Sequence, residues 1–150
     1  MAIPNYSMAT VPQFVGRSLG ISEWVAVGQD RIDQFATCTG DRQWIHVDVE
    51  RAKRESPFGV GLGRCAGDRA WHHSPDATTR PNYGLDKVRF ITPVKSGARV
   101  RLQTNLTSAQ PQSDRRMLLK LQCALEIEGE DKPALVAEVL CMLVGKPEGS

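Results

Sequence analysis

The decapeptide TGDRQWIHVD, residues 39–48, places Asp41 five positions before His46, with Trp44 and Ile45 between them. A carboxylate and an imidazole this close in the chain are residue types suited to moving protons. An unperturbed imidazole titrates at about pH 6.5, so it can accept and return a proton near neutrality. A solvated loop gains nothing from Trp44 and Ile45, whereas acid–base chemistry beside an apolar substrate would use all four residues. The plainer reading is structural. Asp41 then caps a turn, His46 is a half-buried loop residue, and Trp44 and Ile45 pack the loop down.

The elements around the pair follow from local pattern. In GQDRIDQFATCTGD, Ile32, Phe35 and Ala36 fall at i, i+3 and i+4, an apolar helical stripe. Asp30 and Asp33 bias negative charge toward the front of this helix, which suits its dipole. Gly40 is placed just past the C-terminus, so Asp41 sits where the chain leaves the helix. Asp48 predicts an N-cap for a short helix over VERAKRE, ended by Pro57. Residues 1–13 read as a loose arm. The segment from 14 to 27 ends in the strand-like WVAV.

The C-terminal half changes period. In RMLLKLQCALEIEG, Met117, Leu119, Leu121, Cys123, Leu125 and Ile127 alternate with more polar positions, a strand with one wet face. ARVRLQTNLTSA alternates through Val100, Leu102, Thr104 and Leu106. ALVAEVLCMLV is apolar on both faces except at Glu138, which predicts a central strand. LDKVRFITPV is a fourth strand, with Pro93 marking a bulge or an edge. PVKSGAR, SAQPQSD and EGEDKP carry turn residues. A helix-rich first part followed by consecutive antiparallel strands argues for an α+β fold, with helices on one face of a curled sheet.

The 150 residues suit one domain with a real core. Nineteen basic against 17 acidic residues leave a net charge of +2, too balanced for a nucleic-acid surface. The longest mostly apolar run, PALVAEVLCMLV, is too short to span a bilayer and carries Glu138. The N-terminus lacks the basic and apolar regions of a signal peptide. Cys38, Cys65, Cys123 and Cys141 form no CxxC pair and read as reduced thiols, mostly small core residues. The expected address is the cytoplasm.

RIDQFATCTGDRQWIHVDVERAKRESPFG and NYGLDKVRFITPVKSGARVR together closely resemble the R-specific enoyl-CoA hydratases, the MaoC-like branch of the hotdog fold. The resemblance spans about residues 14–59 and 82–144. Its first block is specific; the second, F-x-x-P-V-x-x-G, is typical of hotdog strands generally. It implies a long central helix wrapped by an antiparallel sheet, a homodimer, and an acyl-CoA thioester threaded along the subunit interface. It implies that Asp41 and His46 hold a water and move its protons in the reversible hydration of trans-2-enoyl-CoA to (R)-3-hydroxyacyl-CoA. It implies no metal or redox cofactor. Thioester oxygen gathers charge in that reaction and needs a fixed donor, for which the backbone amides of Gly59, Gly61 and Gly63 are the candidates.

The stretch between the blocks departs from the pattern. After PFG the family continues with a segment such as G-T-I-A-H-G and an apolar helix, whereas this chain reads VGLGRCAGDRAWHHSPDATTRP. Arg64 and Cys65 fall where the usual His-Gly stands, and residues 60–81 hold too few apolar residues for a core helix. A reading frame shifted from the ancestral one would leave such a composition, and the coding DNA decides that. A catalytically impaired hotdog subunit that binds acyl thioesters or a partner chain is therefore the alternative to an active enzyme. A thioesterase-like hydrolase is a third reading.

Other constellations are weaker. Gly61-x-Gly63 with Gly67 faintly echoes a dinucleotide loop, but no buried strand precedes it. Asp68, His72, His73 and Cys65 have only partial metal-ligand spacing, far below a zinc signature. Trp44 is a secondary candidate for substrate contact. Lys87, Arg89, Arg99 and Arg101 alternate along what read as two neighbouring strands. They form a solvated face or meet CoA phosphates, with Arg89 the residue singled out for the latter.

Overall fold

The computed structural model describes residues 7–57, 62–63, 77–79 and 81–145, with residues 62–63 and 77–79 described as backbone. A 3-10 turn, Val11–Phe14, leads into strands β1 (Ser18–Ile21) and β2 (Val25–Ala26). Three helices follow, α1 (Gln29–Thr39), α2 (Trp44–Val47) and α3 (Val49–Glu55). The remaining strands are β3 (Leu62–Gly63), β4 (Ala77–Thr79), β5 (Asn82–Phe90), β6 (Val94–Lys95), β7 (Arg99–Ser113), β8 (Arg116–Ile127) and β9 (Leu135–Gly145).

The alternating sequences of β7, β8 and β9 pair antiparallel, so inward residues line up in rows across the sheet. One row joins Leu106, Leu121 and Val139; another joins Thr104, Cys123 and Ala137; a third joins Leu102, Leu125 and Leu135. The sheet order is β1-β7-β8-β9-β4, with β2 also on β7 and β5 on β9. β9 is thus central, as its two apolar faces predict. Among the described residues β5 pairs with β9 alone, and Pro93 lies in the link between β5 and β6, which fits an edge. Ile32 of α1 joins the core made by these strands, and Val11, Leu106 and Leu143 have no exposed surface. The fold is α+β with a curled antiparallel sheet and helices on its core face.

Several expectations change. Residues 7–13, read as part of a loose arm, are held by Val11, which is buried in the core. SAQPQSD, read as a turn, is mostly strand: β7 runs through Pro111, which faces Met117, and turns only after Ser113. Pairing with β8 carries it there, and the register shift at Pro111/Ser113 lies beside the proline that cannot donate. β5 and β7 are not neighbours, since β8 and β9 stand between them. Lys87 and Arg89 therefore do not join Arg99 and Arg101 in one basic face. Arg99 pairs with Glu128, Arg101 with Glu126 and Lys87 with Glu138 on the outer face of the sheet. Lys120, beside Asp86 and Glu138 on the same face, is held above the ordinary lysine range, chiefly by its hydrogen bond to Asp86. The central helix implied by the resemblance would fall within residues 60–81, most of which lie outside the described residues.

Cys38 is exposed rather than part of the core, while Cys123 and Cys141 are buried. Burial pushes the Cys123 thiol up, so it stays protonated and poorly nucleophilic. In a Cys65→Ser background, a thiol reagent is expected to modify Cys38 promptly and Cys123 and Cys141 only on unfolding. Mass spectrometry of labelled peptides checks this; rapid labelling of Cys123 in the folded protein would contradict the packing.

Candidate functional site

The site is built by the way α1 ends. Its apolar stripe buries Ile32 and Ala36 and leaves Phe35 half-buried. Gly28 caps its start, Asp30 lies in its first turn, and it stops at Gly40, whose φ of 73° is left-handed. A side chain there would meet backbone strain of about 1–2 kcal/mol, which glycine avoids. The chain turns at that point and delivers Asp41. Three residues on, α2 packs against α1 and returns His46 toward it. α3 follows directly. The Asp48 carboxylate caps it, accepting from the Arg51 amide at 2.9 Å, and Pro57 follows its end.

Asp41 Oδ2 and His46 Nε2 stand 3.9 Å apart, with side chains 24% and 12% exposed. That is too long for a direct hydrogen bond and short enough for one water to contact both. Among the described residues, Ile32, Phe35 and Ala36 line the pocket with the two polar side chains. The space enclosed among these described residues is about the size of a single water molecule. A proton-accepting pair against an apolar wall can polarise a held water beside an apolar substrate.

The other predicted site residues are placed as follows. Gly63 lies in β3, whose backbone pairs with β6 and runs beside α1 and α2. Gly59 and Gly61 lie outside the described residues. The Trp44 ring faces the Arg51 guanidinium at 4.5 Å, and Arg51 is held in turn by Glu55 at 2.8 Å. Trp44 does not line the pocket. Arg89 sits on the edge strand β5 and does not line it either. Sequence reasoning took Ile32, Phe35 and Ala36 only as a packing stripe; their place in the turns just before Asp41 was the signal that they also wall the site. It missed Gln29, whose side chain reaches the His46 backbone. Among the described residues no cluster of His, Cys, Asp or Glu could hold a metal ion. No helix among them is long and apolar enough to cross a membrane.

A curled antiparallel sheet with helices packed on its core face is the architecture of a hotdog protein. The chain belongs to the MaoC-like domain family, whose model matches residues 10–121. It is 39% identical over 150 residues to nodulation protein N of Rhizobium leguminosarum bv. viciae, covering 94% of this chain and 93% of that one. It is 36% identical over 146 residues to 3-hydroxyacyl-thioester dehydratase Z of Mycobacterium tuberculosis, covering 92% of this chain and 96% of that one. The structure of the R-hydratase PhaJ1 from Pseudomonas aeruginosa superposes with a TM-score of 0.65 at 17% identity. That match covers 85% of this chain and 81% of the other, and it bears on the fold alone.

Proposed function

We propose that this protein catalyses the reversible hydration of trans-2-enoyl-CoA to (R)-3-hydroxyacyl-CoA, using a water held between Asp41 and His46. The observation that carries the reading is the 3.9 Å separation of Asp41 Oδ2 and His46 Nε2 against the Ile32–Phe35–Ala36 wall. In the hydration direction one member of the pair takes a proton from water as its oxygen adds to C3. A proton is then delivered to C2, and the charge gathered on the thioester oxygen falls away. The reverse steps expel water from the 3-hydroxyacyl thioester. The backbone of β3, with Gly63, runs beside both helices and is the candidate donor to that oxygen. The relation to a 3-hydroxyacyl-thioester dehydratase supports the substrate class.

Among the described residues, the pocket beside Asp41 and His46 has room for a water and not for an acyl tail. We place the tail along an interface with a second copy, which makes the working form a homodimer. Trp44 and Arg89 are proposed to contact substrate only at its periphery. The exposed thiol of Cys38 suits a reducing compartment, and the cytoplasm is the proposed place of action.

Purified protein mixed with crotonyl-CoA tests the reading. The expected result is loss of the absorbance of the conjugated double bond, with the (R)-3-hydroxy product recovered and a dimer found by sedimentation. Binding of the thioester with no turnover would replace the proposal by a non-catalytic hotdog subunit. Release of free CoA thiol would replace it by a hydrolase.

A further inference from the structure

We propose that Gln29 is a positioning residue for His46, an inference that rests on the hydration reading. α2 is a single turn, and the last carbonyls of such a turn lack intrahelical partners. The Trp44 carbonyl accepts from the Asp48 amide at 2.9 Å. The His46 carbonyl accepts instead from a side chain, with Gln29 Nε2 donating at 2.6 Å. The same Nε2 donates to Asp33 Oδ1, one turn along α1, at 2.9 Å. Both neighbours are acceptors, a backbone carbonyl and a carboxylate, so the amide nitrogen must face them and its oxygen must face away.

That orientation leaves Gln29 Oε1 buried with no hydrogen-bond donor among the described residues. A buried acceptor without a donor costs stability, and an apolar side chain at this position would carry no such cost. The amide is therefore explained by what its nitrogen holds: the backbone of the residue whose ring faces Asp41. α1 governs the pair from both ends. Gln29, its first residue, anchors the His46 carbonyl, and Gly40, just past its last, delivers Asp41. The imidazole hangs from the Cα next to that carbonyl, so loss of the Gln29 bond shifts the ring relative to the held water. A misplacement of about 1 Å at a reacting group costs on the order of 100-fold in rate. Gln29 does not line the pocket, so the loss falls on kcat and spares substrate binding.

Steady-state kinetics of the full-length Gln29→Leu variant test this. The expected kcat is about 10- to 100-fold below the parent's, with KM within roughly twofold. Gln29→Lys restores a donor to both acceptors and is expected to recover most of that loss. Asp33→Ala only loosens Gln29, so adding it to Gln29→Leu is expected to lower kcat no further. A Gln29→Leu protein with parental kcat per folded molecule and a lowered Tm would overturn the proposal, because the amide would then serve stability alone. Should the parent show no hydratase activity, the functional reading falls, and NMR decides the positioning. The His46 ring resonance, assigned against His46→Ala, is expected to show contacts to Phe35 and Ile32 that weaken in Gln29→Leu; unchanged contacts would overturn it.

Discussion

On the proposed hydratase reading, Asp41→Asn is expected to lower kcat for crotonyl-CoA hydration by about 10²- to 10⁴-fold while leaving the fold intact, and His46→Ala is expected to do the same. Asparagine keeps the shape of aspartate and can still hydrogen-bond a water, but it cannot take a proton. The Asn variant therefore separates proton transfer from water binding. His46→Ala removes the imidazole and opens the pocket. A loss of about 10³-fold corresponds to about 4 kcal/mol of transition-state stabilisation. On that proposed reading the two side chains act on one water, so the double variant is expected to fall little below the worse single one. Neither residue belongs to the buried core cluster, which is why Tm is expected to stay near the parent's. Stopped or continuous absorbance assays with matched thermal melts check both halves. Near-parental rates in both variants would remove the pair from the mechanism.

Leu106→Ala is expected to destabilise the protein by about 2–5 kcal/mol, the range for a buried leucine whose neighbours collapse only partly. Leu106 has no exposed surface and sits on β7, between β1 and β8. Its side chain shares a row with Leu121 and Val139. Its backbone is bonded at both ends to the chain entering β1, accepting from the Gly16 amide at 2.8 Å and donating to the Arg17 carbonyl at 3.0 Å. The cavity therefore opens at a site that the backbone keeps from closing. At about 2–4 °C per kcal/mol for a chain of this size, Tm is expected to fall by roughly 4–20 °C. Val15→Ala, at an exposed position, is expected to change stability by less than about 0.5 kcal/mol. Urea denaturation of both variants checks the contrast, and a loss below about 1 kcal/mol for Leu106→Ala would contradict the packing.

Features governed by neighbours a few residues apart were legible from the chain alone. The stripe at Ile32, Phe35 and Ala36, the stop at Gly40 and the cap at Asp48 each rest on contacts within one or two helical turns. The alternation in β7, β8 and β9 rests on the two-residue period of a strand, so the buried faces of these strands could be named without knowing their partners. The pair Asp41 and His46 was legible for the same reason, because both ends of its geometry lie at the exit of one helix. The MaoC-like family could be read from that block together with the FxxPVxxG strand.

What remained hidden depends on distant partners. α2 is four residues long and contains Ile and Val, poor helix formers, so its turn comes from packing on α1 and not from propensity. β7 overrides the turn residues around Pro111 because β8 pairs with it for the full length. The placement of β5 beside β9, and not beside β7, separated the four basic residues that looked adjacent. Gln29 and His46 lie 17 residues apart and meet only through the packing of α2 on α1. Local steric and hydrogen-bonding rules act over a few residues and can be read in order along the chain. Which strand lies beside which, and which side chain reaches which carbonyl, is settled by the burial of the whole chain at once.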